Sequence, residues 1–167
     1  VLLEAQFLSQ LADGMLTTVQ LFLVSWVLAF TLAVLLVVIR STELWPCRLF
    51  VSAYVEYHRN VPLLVQVLFW YFGMPELLPE VVREWLYAHN AELSLAAIAL
   101  GLGSAAYIAE DIRSGLRAIP FTQFEAARAL GSSYLQCMRH VIVPQALRIS
   151  IPPLVSRALL LFKNTSV

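Results

Sequence analysis

The chain has 167 residues, 60% of them hydrophobic and 13% charged, with a mean hydropathy of +0.76 and a formal net charge of zero. Soluble domains hold roughly 45–50% apolar and about 25% charged residues, and a soluble fold of this size could not hide so much apolar surface. The balance excludes a soluble domain, the zero net charge excludes a general attraction to nucleic acid, and what remains is an all-α polytopic membrane bundle in a single domain, residues 1–167.

The N-terminus, Val1 to Glu4, has no basic region and no small-residue cleavage site ahead of the first apolar run. That run is too long for a signal segment and is read as a retained span. The lack of an initiating Met suggests a trimmed start.

Met15 to Ile39 is the first expected span: 25 residues without a charged side chain, about 37 Å of helix for a hydrocarbon core of about 30 Å. Asp13 is placed to cap it and Arg40 to end it. Leu49 to Met74 reads as one helix broken or kinked near Pro62, which lacks an N–H. Within it, Leu63–Met74 is apolar except for Gln66. A break at membrane depth requires protein or water to meet the freed backbone groups.

Pro75 to Glu92 is polar, with Trp85 and Tyr87 suited to an interface, and predicts a short surface helix. Leu93 to Ala109 is the third span, where Gly101, Gly103 and Ser104 permit close helix contact. Asp111 to His140 is polar and basic. Val141 to Phe162, with Pro144, Pro152 and Pro153, is the fourth span, followed by Lys163, Asn164, Thr165, Ser166 and Val167.

Arginines concentrate in two segments: Arg40, Arg48 and Arg59, then Arg113, Arg117, Arg128, Arg139 and Arg148. The other two connecting segments carry only Arg83, against Glu4, Asp13, Glu76, Glu80, Glu84 and Glu92. The positive-inside rule assigns the two basic segments to the cytoplasm. The N-terminus and Val167 then lie outside.

The cysteines, Cys47 and Cys137, stand ninety positions apart with no C-x-x-C and read as reduced thiols. His58, His89 and His140 have no ligand spacing, so no metal site is expected. Glu56 with Arg59, and Glu110 with Arg113, are three apart and read as ion-paired fasteners. No Ser/His, His-Glu-x-x-His or paired Asp arrangement supports an intramembrane enzyme. Phe69, Trp70, Tyr71 and Phe72 read as lipid- or helix-facing.

The sharpest motif lies before the fourth span. Glu125-Ala126-Ala127-Arg128-Ala129-Leu130-Gly131 is followed by nine residues and Val141-Ile-Val-Pro144. Its first part holds strong helix formers, Gly131 can take the left-handed conformation that ends a helix, and Ser132 or Ser133 can cap the next. Two short helices at a sharp bend are predicted, with Ala126, Ala127 and Ala129 giving a thin profile.

This spacing resembles the signature loop of ABC importer membrane subunits, Glu-Ala-Ala-x3-Gly-x9 followed by Ile-x-Leu-Pro. Tyr54 to Gln66, Trp70 to Pro75, Ala106 to Gly115, Pro144 to Arg148 and Lys163 to Ser166 are similar to segments of polar amino acid permeases. Arg59-Asn-Val-Pro62 and Pro75-Glu-Leu-Leu-Pro-Glu80 look most like their glutamate/aspartate branch. The resemblance implies a type I importer subunit in a bacterial inner membrane. Its expected partners are a separate ABC ATPase, a second permease subunit (the same chain or another) and an extracytoplasmic amino-acid-binding protein. It implies that loop 121–140 is a cytoplasmic coupling element acting through Glu125, Ala126, Ala127 and Gly131, with Arg128 at its rim. This chain has no Walker A sequence, so ATP and Mg belong to the partner and no cofactor to this chain.

The implied solute is glutamate, aspartate or their amides. Lys163, Asn164, Thr165 and Ser166 match a family Lys-Asp-Thr-Ser motif at the substrate. Asn164 in place of Asp removes a charge that would favour a cation. Arg157, sharing a helix face with Asn164, is a candidate second clamp, and ionisable groups at membrane depth are substrate candidates in general. A permease for basic amino acids or opines, and a helical scaffold or channel without ATPase, are the competing readings. The family has a fifth span after Lys-x-Thr-Ser, so the chain is expected to be truncated after its fourth.

Overall fold

The structure, a computed structural model, describes residues 2–42 and 44–166, with side chains over 7–42 and 44–166. The Glu4 side chain and Val167, which enter the charge and orientation argument, lie outside the described residues. All regular structure among the described residues is helical: α1 Leu2–Ser41, α2 Trp45–Asn60, α3 Leu63–Leu68, a π turn Phe69–Gly73, α4 Met74–Leu77, α5 Glu80–Ala88, α6 Ala91–Arg117, α7 Phe121–Ala129, α8 Tyr134–Cys137, a second π turn Met138–Ile142 and α9 Val143–Asn164.

α1 runs through Asp13, so Asp13 is not its cap. The preceding stretch is rich in Leu, Ala and Gln and free of Pro, and it extends the helix toward the N-terminus. The third helix likewise continues past Ala109 to Arg117. Its polar continuation, Glu110 to Arg117, carries the ion pairs described below rather than a loop.

The break near Pro62 is complete. Val61 is extended, as the residue before a proline is driven to be, and Pro62 starts α3. α6 begins after Asn90, whose φ of 64° is a left-handed conformation that asparagine tolerates. The fourth predicted helix is part of a longer run: α8, the π turn and α9 follow one another from Tyr134 to Asn164, through Pro152 and Pro153.

α6 is the centre of the bundle. Ala29, Ala33 and Leu36 of α1, Val51 and Val55 of α2, and Ala105, Ala106, Ile108 and Ala109 of α6 form its core. Small residues let the backbones approach. A Cβ on Gly101 would lie 2.6 Å from Leu28 Cδ2, and one on Gly115 would meet Ser150 Oγ and stand 2.8 Å from the Ala146 carbonyl of α9.

The opposite surfaces are apolar. Phe7, Leu11, Met15, Leu16, Leu23, Val27, Leu35 and Val38 of α1, and Ile151, Val155 and Leu159 of α9, are each more than half exposed. A layer of such breadth marks a surface that meets lipid or another protein. Two segments, Phe7–Ser41 and Ala91–Arg117, are long and apolar enough to cross a membrane by length and composition. The other two expected spans do not reach that mark: α2–α4 is interrupted at Pro62, and α9 carries Arg148, Arg157 and Lys163.

Candidate functional site

A cavity of about 190 Å³ opens between the α2–α3 break, α6 and α9, lined by His58, Val61, Leu63, Gln66, Gly103, Ser104, Tyr107, Arg157, Leu160, Leu161 and Asn164. Its polar groups are held by hydrogen bonds within the lining and, for Arg157, by a partner beyond it. The carboxamide of Gln66 spans the break: Nε2 donates to the carbonyls of His58 at 3.0 Å and Val61 at 2.8 Å, and Oε1 is 2.6 Å from His58 Nδ1. Two of the carbonyls loosened by Pro62 are thereby satisfied. Gly103 leaves room for this bridge, since a Cβ there would lie 3.3 Å from Gln66 Oε1.

Arg157 is on the cavity wall, but its charge is compensated. Nε donates to Asp111 Oδ2 at 2.9 Å, and the guanidinium sits 4.6 Å from the Tyr107 ring centroid. Arg59 approaches the same ring at 5.8 Å. Asn164 lines the cavity beside Arg157, as their spacing predicts, whereas Lys163 is exposed and absent from the lining. Thr165 and Ser166 border neighbouring apolar clefts.

The expected Glu56–Arg59 pair does not form; both side chains border an open basic cleft with Arg40, Glu110 and Arg113. Glu110 does pair with Arg113, at 3.0 Å, and also with Arg40 of α1 at 3.7 Å and Arg117 at 3.6 Å. One carboxylate thus serves three guanidinium groups and ties α1 to α6.

The Glu125–Gly131 segment forms an elbow. Gly131 has a φ of +84°, Ser132 N–H donates to Ala127 O, and Gly131 N–H donates to Arg128 O. This doubly bonded helix end needs a residue without a Cβ penalty at the left-handed position. Ser133, rather than Ser132, caps α8, reciprocally with Gln136. The thin profile is only partial: Ala126 and Ala129 are exposed, but Ala127 is 6% exposed and faces the chain's own interior. Arg128 folds back, donating to Ser132 O at 2.9 Å. Glu125 is exposed and in no ion pair among the described residues.

Leu130, at the apex, is 87% exposed, and Leu135 is 73% exposed. The sequence signal for Leu130 is a leucine beside a helix-ending glycine, a sign of an apolar tip, and Leu135 has none. The motif spacing does not place His58, Gln66, Tyr107 or Asp111 at the cavity. Gln66 had a signal, as the one polar residue in an apolar run; the others become neighbours only through packing.

Residues 44–167 match the family described as "Binding-protein-dependent transport system inner membrane component". The chain is 35% identical over 169 residues to the glutamate/aspartate import permease protein GltJ of Escherichia coli (strain K12), covering 96% of this chain and 67% of that protein. It is 37% identical over 164 residues to the probable glutamine ABC transporter permease protein GlnM of Bacillus subtilis (strain 168), covering 95% and 69%. A crystal structure of an amino acid ABC transporter with histidines superposes with a TM-score of 0.82 at 28% identity, covering 99% of this chain and 73% of the other.

Proposed function

Because the chain belongs to the binding-protein-dependent transport system inner membrane components, we propose that its cavity is the passage for a polar amino acid of the glutamate, aspartate or glutamine type and that its elbow receives the driving force. The chain is a membrane-embedded permease subunit of an ABC importer and not an enzyme. Hydrolysis of ATP takes place on a separate subunit, and an extracytoplasmic binding protein supplies the solute.

The observation that carries the reading is the polar cavity itself. An otherwise lipid-compatible bundle holds His58, Gln66, Ser104, Tyr107, Arg157 and Asn164 around one small volume at the backbone break. Interrupted helices are tolerated within membranes where the freed groups line a cavity or meet protein, and a charged side chain inside such a bundle is costly unless paired or used. Arg157 has spent Nε on Asp111, which leaves its terminal amino groups for a solute carboxylate. In this reading α9 and the α2–α4 run also cross the membrane, giving four spans with the N-terminus outside and segment 121–140 in the cytoplasm. Residues 1–167 act as one domain, and a second permease subunit, the same chain or another, completes the passage.

At the elbow, Leu130 and Leu135 supply apolar area for a groove on the ATPase, with Glu125, Ala126 and Arg128 beside them. Gly131 sets the bend, and Ala127 anchors the elbow to the bundle. Lys163, Thr165 and Ser166 then lie beside the passage, and Asn164 on its wall.

The test uses the complete transporter reconstituted in liposomes, with glutamate, glutamine and arginine compared for uptake and for stimulation of ATP hydrolysis. Stimulation by the first two, lost on Arg157→Ala, supports the reading. Stimulation by arginine alone would replace it with a permease for basic amino acids. Unimpaired uptake after deletion of Glu125–Gly131 would favour a scaffold or channel instead.

A further inference from the structure

Similarity to relatives does not choose between an acid and its amide, since identity to GltJ and to GlnM is nearly equal, at 35% and 37%. The hydrogen bonds around Gln66 do bear on that choice. Carbonyl oxygens only accept, so the NH2 of Gln66 must face His58 O and Val61 O. Oε1 therefore faces His58 Nδ1 at 2.6 Å. An amide oxygen also only accepts, so Nδ1 carries the hydrogen. Neutral His58 is thus fixed as one tautomer, with its lone pair on Nε2.

That nitrogen has no hydrogen-bond partner among the described residues. Nor is it sealed in, for Ser25 Oγ is the only buried side-chain polar atom without a partner among them. His58 is 7% exposed and is one of the residues that line the cavity, the space a solute would occupy in the reading above. The other ionisable groups facing it are Tyr54 and Tyr57 on α2, Tyr107 on α6 and Arg157 on α9, the last already neutralised by Asp111. With His58 neutral and Arg157 paired to Asp111, the cavity lining itself carries no net charge; Arg59, outside that lining, is 5.8 Å from the Tyr107 ring centroid. A zwitterion with an uncharged side chain adds no net charge to the lining, whereas a dicarboxylate adds one negative charge.

We propose that His58, oriented by Gln66, selects a carboxamide side chain over a carboxylate: neutral Nε2 accepts from an amide N–H and repels a carboxylate oxygen. The proposal rests on the reading of the cavity as the solute passage.

The experiment uses the purified complex of this chain with its partner subunits in lipid nanodiscs, without the binding protein, whose own selectivity would mask the effect. Competition between glutamine and glutamate is measured by ligand-observed NMR near neutral pH, where the glutamate carboxylate is ionised. Glutamine should bind the wild type about fivefold or more better, the scale of one hydrogen bond. His58→Phe should bring the ratio near one. A wild-type ratio near one, or a His58→Phe ratio equal to wild type, would overturn the role of His58. If neither amino acid binds the wild type, the passage reading fails and the proposal with it. The wild-type ratio is read whether or not the variant folds.

Discussion

Arg157 Nε donates to Asp111 Oδ2 across 2.9 Å, joining α9 to α6 between residues 46 positions apart. The pair keeps a guanidinium on the cavity wall without leaving an unbalanced charge beside it. Asp111→Asn should retain shape while removing compensation, so that Arg157 attracts anions more strongly. The expected outcome is a shift toward glutamate over glutamine by about fivefold, roughly 1 kcal/mol, measured by competition. A shift toward glutamine would contradict this account of the pair.

Gln66→Leu should destabilise the protein by roughly 3 kcal/mol, because it strands two carbonyls and the His58 ring nitrogen in a poorly hydrated place. Thermal unfolding in detergent, followed by circular dichroism, reads this directly. Leu64→Ala on the exposed side of the same short helix is the control and should change stability far less.

Gly115 sits where α6 touches α9. Gly115→Ala should lower thermal stability and folded yield, since its methyl group would press on Ser150 and on a backbone oxygen. Adding Ser150→Ala should restore only part of the loss: the Ala146 carbonyl, 2.8 Å from the new Cβ, cannot move away without bending α9. Full restoration would mean the hydroxyl alone causes the conflict.

At the elbow two substitutions separate shape from surface. Gly131→Val places a branched side chain at φ +84°, a strain of about 1–2 kcal/mol or more, and should distort the bend. Leu130→Ser leaves the backbone alone and removes exposed apolar area. Both should reduce solute uptake per ATP hydrolysed in liposomes, but only Gly131→Val should also lower thermal stability. Wild-type coupling in both would remove the elbow from the drive train.

What the sequence made legible was local. Pro62 marked the break, Gly131 the bend, and Glu110 with Arg113 a pair three residues apart, because each depends on neighbours along the chain. Glu56 and Arg59 had the same spacing yet stay apart, both bordering the basic cleft. The Asp13 cap failed because helix-forming residues before it continued the turn. Asp111 with Arg157, and Tyr107 with both Arg157 and Arg59, lie beyond any spacing argument: they exist because Gly115 and the small residues of α6 let the helices close together. The candidate site is therefore only partly readable from the sequence: the shared helix face of Arg157 and Asn164 is visible in their spacing, and the residues that hold them in place are not.

The π turn at Met138–Ile142 has a mechanical consequence. Elbow and cavity wall are opposite ends of one rod, Tyr134 to Asn164, about 46 Å long, and a turn of the wider helix takes up an additional residue near its inner end. Every residue added or removed in an α-helix rotates the remainder of that helix by about 100°, so the azimuth of Arg157 relative to the bend is set partly by this wide turn. It works like a spacer on a drive shaft. Removing one residue there should let the shaft relax to ordinary pitch with Arg157 still aimed inward, whereas the same deletion in the middle of α9 would swing the guanidinium off the wall.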